Sequence, residues 1–267
     1  MTKERIDILL VEKGLIESRE KAKRIIMEGA VYIDSQRVDK PGEKVDIDSN
    51  IIVKGNPIPY VSRGGLKLEK AIEAFGINLK DKIALDIGAS TGGFTDCMLK
   101  NNARKVYAID VGYGQLDWKL RNDSRVVVKE RTNIRYMKEN DIGEKADFSS
   151  IDVSFISLKL VLPVAKNLLK DDGEIVALIK PQFEAGRDKV GKKGIIKDSK
   201  VHKDVIRDIY DFCSSIGLFI NNITFSPIKG ATGNIEYLAH IKKDSGIDKN
   251  NIDSIINTVV SESHLML

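Results

Sequence analysis

Along the first thirty residues the apolar positions recur at helical spacing; past residue 60 they gather into short runs that read as buried strands. Arg5–Lys13 carries Ile6, Leu9 and Leu10 on one helical face, and Gly14 is the kind of residue that ends such a helix. Ser18 is placed to cap a second helix, which buries Ala22, Ile25 and Ile26 and stops at Gly29. Short strands follow at Ala30–Asp34 and within V-D-I-D-S-N-I-I-V-K-G, residues 45–55. Sixty residues so arranged make a small α+β module, close to the lower size limit for an independent fold.

The stretch Gly55–Gly65 interrupts the pattern, and Pro57 and Pro59 make it an extended, stiff joint. Beyond it a helix over about Gly65–Phe75 leads into K-I-A-L-D-I-G, K-V-Y-A-I-D, R-V-V-V-K-E, A-D-F-S-S-I-D-V-S and G-E-I-V-A-L-I-K-P. Helix-length segments separate these strand candidates. A helix near His202–Ile216 precedes L-F-I-N-N-I-T-F-S and N-I-E-Y-L-A-H-I. Such alternation predicts an α/β fold, a Rossmann-like, doubly wound and mostly parallel sheet. It would occupy residues 61–245, behind a small N-terminal α+β module of residues 1–60 and ahead of a helical extension over 246–267.

Composition narrows the function classes. No apolar run of eighteen residues and no secretory leader is present, so a cytoplasmic protein without a membrane span is expected. Two cysteines and three histidines are too few and too scattered for a disulfide framework or a metal site. The net charge of +4 and pI near 8.8 mildly favour a polyanionic partner. Acidic and basic residues balance over residues 1–60, however, so charge alone does not make that module an RNA binder.

The sharpest motif is L-D-I-G-A-S-T-G-G-F, Leu85–Phe94, where the first strand of the larger region hands over to a helix. Asp86 closes the strand, and Gly88, Gly92 and Gly93 permit a tight turn with a ligand close to the backbone. Asp110 ends the next strand and suits an acid that hydrogen-bonds a nucleoside ribose. A nicotinamide cofactor would prefer G-x-G-x-x-G for its pyrophosphate, and Ser90 occupies the second glycine position. S-adenosyl-L-methionine, which carries no phosphate, accepts the looser turn. Gly88–Gly92 also spells the G-x-S-x-G elbow of serine hydrolases, and a merely structural glycine turn is a further reading.

Charged residues also stand where strands end, the position of active sites in this architecture. Asp152 ends S-S-I-D, Lys180 ends I-V-A-L-I-K, Glu236 lies in G-N-I-E-Y-L, and Lys67 stands on the helix after the joint. Each alone is most simply a structural ion pair or a solvated charge. Together they offer a route to methylating a hydroxyl. A lysine at its reference pKa of about 10.4 is neutral only ~0.1% of the time near pH 7.4, so a lysine base needs burial or a second ammonium beside it. Lys180 is the candidate base, with Lys67 as the neighbouring cation and Asp152 and Glu236 orienting both amines.

The stretches V-S-R-G-G-L-K-L, L-D-I-G-A-S-T-G-G-F-T-D, D-V-G-Y-G-Q-L, E-R-T-N-I-R, D-V-S-F-I-S-L, L-I-K-P-Q-F-E and G-N-I-E-Y-L resemble the TlyA family of ribosomal RNA 2′-O-methyltransferases, formerly called hemolysins. The resemblance runs over essentially the full chain. It implies an FtsJ-like catalytic domain whose K-D-K-E tetrad is Lys67, Asp152, Lys180 and Glu236. It also implies a donor site at Asp86, Gly88, Ser90, Gly92, Gly93 and Asp110, with Asn133 as a neighbour of the adenine. The N-terminal module resembles the S-four type RNA-binding domain, in which helical basic residues face RNA; here these are Arg5, Arg19, Lys21, Lys23 and Arg24, joined by Arg63. The implied substrate is a cytidine of rRNA within ribosomal subunits; the oligomeric state is left open by the sequence, with a monomer favoured. A non-catalytic RNA-binding or ribosome-assembly factor is the alternative. A pore-forming hemolysin would need a long apolar or strongly amphipathic segment, which the sequence lacks.

Overall fold

The computed structural model describes residues 3–27, 29–34, 36–54, 58–191 and 194–267; Pro57, read as part of the joint, lies outside them. The chain divides into two compact units, Met1–Pro59 and Tyr60–Leu267.

The first unit contains β1 (Lys3–Arg5), α1 (Ile6–Glu12), α2 (Arg19–Met27), β2 (Val31–Ile33), β3 (Gln36–Val38), β4 (Lys44–Asp46) and β5 (Ile51–Val53). The helix expected from Arg5 starts one residue later. Arg5 is extended and belongs to β1, which pairs antiparallel with β4. β2 lies between β3 and β5, antiparallel to both. Ile6, Leu9, Leu10, Ala22 and Ile26, placed by the helical spacing, form the core with Val31, Val38 and Val45; Ile25, expected with them, is only half-buried against it. Ser18 Oγ accepts a bond from Lys21 N, and Gly14 and Gly29 have the positive φ that ends each helix.

The second unit runs α3 (Gly64–Phe75), β6 (Ile83–Ile87), α4 (Gly93–Lys100), β7 (Lys105–Ile109), α5 (Trp118–Arg121), β8 (Val126–Lys129), β9 (Ala146–Ile151) and α6 (Leu158–Leu168). It continues with β10 (Leu169–Ile179), α7 (Pro181–Glu184), α8 (Ser199–Ser215), β11 (Phe219–Phe225), β12 (Tyr237–Lys242) and α9 (Ile252–Met266). Its seven-stranded sheet has the order β11-β12-β10-β9-β6-β7-β8. β10, β9, β6, β7 and β8 are parallel, whereas β12 is antiparallel to both β10 and β11. Strands covered on both faces read as near-continuous apolar runs; β6, apolar but for Asp86, and the second half of β10 are buried at every position. α9 is part of this unit's core, through Ile252, Ile256, Val259 and Val260.

The reversal of β12 brings two distant charged residues to one edge. Ile179, at the carboxyl end of β10, pairs with Tyr237, at the amino end of β12. Lys180 and Glu236 therefore leave the sheet side by side, at the edge where β6, β7 and β9 also end.

Candidate active site

Two cavities open along this edge. The first, of about 440 Å³, lies over the β6 and β7 tips and is lined by Gly88, Ser90, Asp110, Thr132 and Asn133, among others. Gly88 sits at φ +86°, and a Cβ there would overlap the backbone carbonyl of Asp152. Both Gly88 N and Ala89 N donate to Ile109 O, which pulls the turn onto β7. Asp110 holds the rim from two sides, since its Oδ2 accepts from Ser90 N at 2.8 Å and its Oδ1 from Gly112 N at 2.7 Å. Asn133 Oδ1 accepts from Arg135 N and so fixes the third lip.

The second cavity, of about 400 Å³, lies over β9, β10 and the start of β12. Lys67, Asp152, Lys180 and Glu236 all line it, as does Arg63 from the start of α3. The four charges form one alternating chain. Glu236 Oε2 is 2.5 Å from Lys67 Nζ, Lys67 Nζ is 3.8 Å from Asp152 Oδ2, and Asp152 Oδ1 is 2.5 Å from Lys180 Nζ. Lys67, Lys180 and Glu236 are each less than 10% exposed. Buried charges persist only when compensated, and here two ammoniums face two carboxylates. Gly230 leaves the room that the Glu236 carboxylate fills.

The two cavities share a wall made of Gly88, Ser90, Asp152, Ser154 and Phe155. Ser154 Oγ accepts from Lys180 Nζ at 3.1 Å. Phe155 is 90% exposed with φ +63°, and its ring lies 4.9 Å from that of Phe183. A molecule in one cavity thus meets a molecule in the other at a wall carrying Asp152, an inner member of the charge chain.

Residues 60–243 match the FtsJ-like methyltransferase family. The chain belongs to that family. Residues 4–51 of this FtsJ-like methyltransferase match the S4 domain. The YqxC protein of Bacillus subtilis is 59% identical over 240 residues, covering 90% of this chain and 85% of that one. The 16S/23S rRNA (cytidine-2'-O)-methyltransferase TlyA of Mycobacterium tuberculosis is 39% identical over 261 residues, 97% of each chain. A solved structure from Streptococcus thermophilus bearing the hemolysin name superposes with a TM-score of 0.79 at 48% identity, over 100% of this chain and 97% of that one. Among the described residues no helix is long and apolar enough to cross a membrane, and no cluster of three or more His, Cys, Asp or Glu could hold a metal.

Several residues sit differently from their sequence reading. Asp86 is fully buried and lines neither cavity; Thr95 Oγ1 donates to its Oδ2 at 2.6 Å and Ser150 Oγ to its Oδ1 at 3.2 Å. Gly92, at φ +92°, faces Leu116 and Leu120, while Gly93 packs beneath Ser62 and Gly65 and reaches the second cavity. The hydrolase reading finds no histidine base for Ser90 among the described residues. His202 is bonded to Tyr237 and Ile196 O, His264 to His202, and His240 to Glu174. In the first unit, buried Asp7 accepts from both Arg5 Nε and Arg19 Nε at 2.9 Å and holds the two guanidiniums together. Burial alone would raise the Asp7 carboxyl, but the two arginines bring it down to about 2. Lys21 pairs with Glu17, and Lys23 and Arg24 are half-buried.

Asp86 supplies a pH prediction. Burial, aided by the charge of Asp152 and opposed by the Thr95 and Ser150 hydroxyls, pushes its carboxyl up to about 7. In the unfolded chain it titrates near 4. The stability it contributes is thus full below about pH 4 and is lost as pH rises through about 7. Asp86→Asn carries no charge and escapes this loss. Urea unfolding should show the variant gaining on the wild type by about 2–4 kcal/mol between pH 4 and pH 8. A stability difference that stays flat across that range would rule the raised carboxyl out.

Proposed function

We propose that this FtsJ-like methyltransferase transfers a methyl group from S-adenosyl-L-methionine to the 2′-hydroxyl of a cytidine in ribosomal RNA, as the name of its Mycobacterium tuberculosis relative describes for that protein. The observation that carries the reading is the chain of four alternating charges that lines one cavity and, through Asp152, reaches the wall shared with the other. One cavity suits a nucleoside-bearing donor and the other suits an acceptor.

The donor fits the residues present. A cavity of about 440 Å³ lies within the ~300–1,000 Å³ usual for small-molecule sites, and a glycine turn at positive φ lets a ligand approach the backbone. Gly88, Ser90, Asp110 and Asn133 would hold it directly, with Asp86, Gly92 and Gly93 setting the turn from behind. Bound there, the donor supplies an electrophilic methyl group on a sulfonium. The protein's task is then to orient the ribose and take away its proton.

Lys180, once it has released its own proton to solvent and stands as a neutral amine, is the acceptor of the hydroxyl proton. Asp152 aligns its amine, and Ser154 holds a second direction. Lys67, fixed by Glu236, offers positive charge to the oxygen as the proton leaves. Phe155 and Phe183 supply an aromatic edge at the mouth of the acceptor cavity. Arg5, Arg19, Lys21, Lys23, Arg24 and Arg63 hold RNA phosphates, which position a substrate without reading its sequence. The enzyme acts in the cytoplasm, as a monomer, on assembled ribosomal subunits.

The test is transfer of radiolabelled methyl from the donor to ribosomal subunits that lack the modification. Label recovered as 2′-O-methylcytidine after nuclease digestion is the expected result. Firm donor binding without label on either subunit would refute this substrate. Absence of donor binding would leave the non-catalytic RNA-binding factor.

A further inference from the structure

Glu184, the last residue of α7, lines neither cavity, yet both of its carboxylate oxygens reach across to another segment of the chain. Ser157 Oγ donates to Oε2 at 2.6 Å and Leu158 N to Oε1 at 2.8 Å. Leu158 opens the eleven-residue α6, and a carboxylate is favoured at a helix amino end by the free amides and the helix dipole.

Capping α6 does not account for this arrangement. Ser157 is already the N-cap, its hydroxyl accepting from Lys159 N at 3.1 Å. What Glu184 adds is a link between two segments that each carry half of the reaction centre. Residues 152–157 bring Asp152, Ser154 and Phe155; residues 180–184 bring Lys180, Gln182 and Phe183. The two segments meet at the Lys180–Asp152 pair, the Lys180–Ser154 bond and the Phe155–Phe183 contact, and all of these depend on their separation. Ser154 and Phe155 are exposed, and Phe155 is held at positive φ. A loop of that kind needs an anchor to keep one geometry.

We propose that Glu184 is a positioning residue for methyl transfer, its carboxylate stapling the 152–158 segment to α7 and so fixing Lys180 against Asp152 and Ser154. The assignment rests on the reaction proposed above. It adds a residue that touches neither donor nor acceptor and acts through the spacing of those that do.

The experiment measures kcat and KM for ribosomal subunits, donor affinity and melting temperature for Glu184→Ala, Glu184→Gln and the wild type. Misplacing reacting groups by about 1 Å costs ~100-fold in rate. Glu184→Ala should lose kcat on that scale per folded molecule, with KM for subunits within about threefold of wild type. Glu184→Gln should recover most of the loss, because its amide oxygen still accepts from Leu158 N and its amide nitrogen can donate to Ser157 Oγ. A purely structural role would lower the melting temperature and leave kcat within about threefold, and that result overturns the proposal. If Glu184→Ala does not fold, Ser157→Ala removes the 2.6 Å bond together with the N-cap bond from Lys159 N, whose loss is read in the melting temperature; a lowered kcat there supports the staple and an unchanged kcat overturns it. A wild-type protein that labels no ribose overturns the underlying reaction, and this assignment with it.

Discussion

Alanine at position 180 is expected to lower methyl transfer by ~10³-fold or more while donor affinity stays within a few-fold of wild type, since a positioned base is worth about 10²–10⁴ in rate. Lys180 lines the acceptor cavity and not the donor cavity. Its amine is the end of the charge chain, 2.5 Å from Asp152, and the other amine, Lys67, is committed to Glu236. Among the described residues of the tetrad, no second group stands ready to take the proton. Asp152 retains Lys67 at 3.8 Å in the variant, so its carboxylate keeps a cationic neighbour. Lys180→Arg sharpens the test. Arginine preserves the positive charge and the pairing with Asp152 but stays protonated, so it should be nearly as inactive as alanine. Single-turnover transfer paired with calorimetric donor titration separates the cases: normal turnover in the alanine variant removes Lys180 from the base role, and an active arginine variant makes its role electrostatic.

The opposite signature is expected at Asp110. Asp110→Ala should weaken donor binding by about 100-fold, the ~1.5–3 kcal/mol typical of hydrogen bonds to a charged group, while kcat at saturating donor stays within about fivefold. The carboxylate already accepts from Ser90 N and Gly112 N. An ionised carboxyl has about four acceptor positions, which leaves about two for ribose hydroxyls. Losing it unties two lips of the cavity and removes the ligand's acceptor together. Asp110→Asn keeps one carbonyl oxygen and should fall between the two. Donor titration by calorimetry is the measurement, and a wild-type dissociation constant in the alanine variant would take Asp110 out of the donor site.

Much of this arrangement could be read from the chain because strand–helix alternation locates strand tips, and the tips are where Asp110, Asp152, Lys180 and Glu236 stand. What pattern alone could not supply is direction. Nothing in L-F-I-N-N-I-T-F-S or N-I-E-Y-L-A-H-I distinguishes antiparallel from parallel pairing, yet the reversal of β12 is what sets Glu236 beside Lys180. Asp86 reads as a ligand-facing acid because it precedes the glycine turn; its side chain points instead to Thr95 and Ser150. Nothing in the helical spacing singles out Asp7, and only the folded unit brings Arg5 and Arg19 onto it. β1 and β3, at three residues each, are too short to show a period. Ser154, Phe155, Gln182 and Glu184 lie inside stretches that the motifs already single out. Their partners are 26 to 54 residues away, a distance at which local spacing carries no signal.

The Lys67–Glu236 pair joins residues 169 positions apart, from the first helix of the catalytic unit to its last strand. A pairing of that reach forms late, because the intervening chain has to be ordered before its ends can meet. Helices and the central parallel strands can assemble while the proposed reaction centre still lacks one of its four charges. On the proposed reaction, competence is therefore a property of the finished chain alone: a nascent or partly folded copy in which the S4 module has formed would lack the means of modifying an RNA it met.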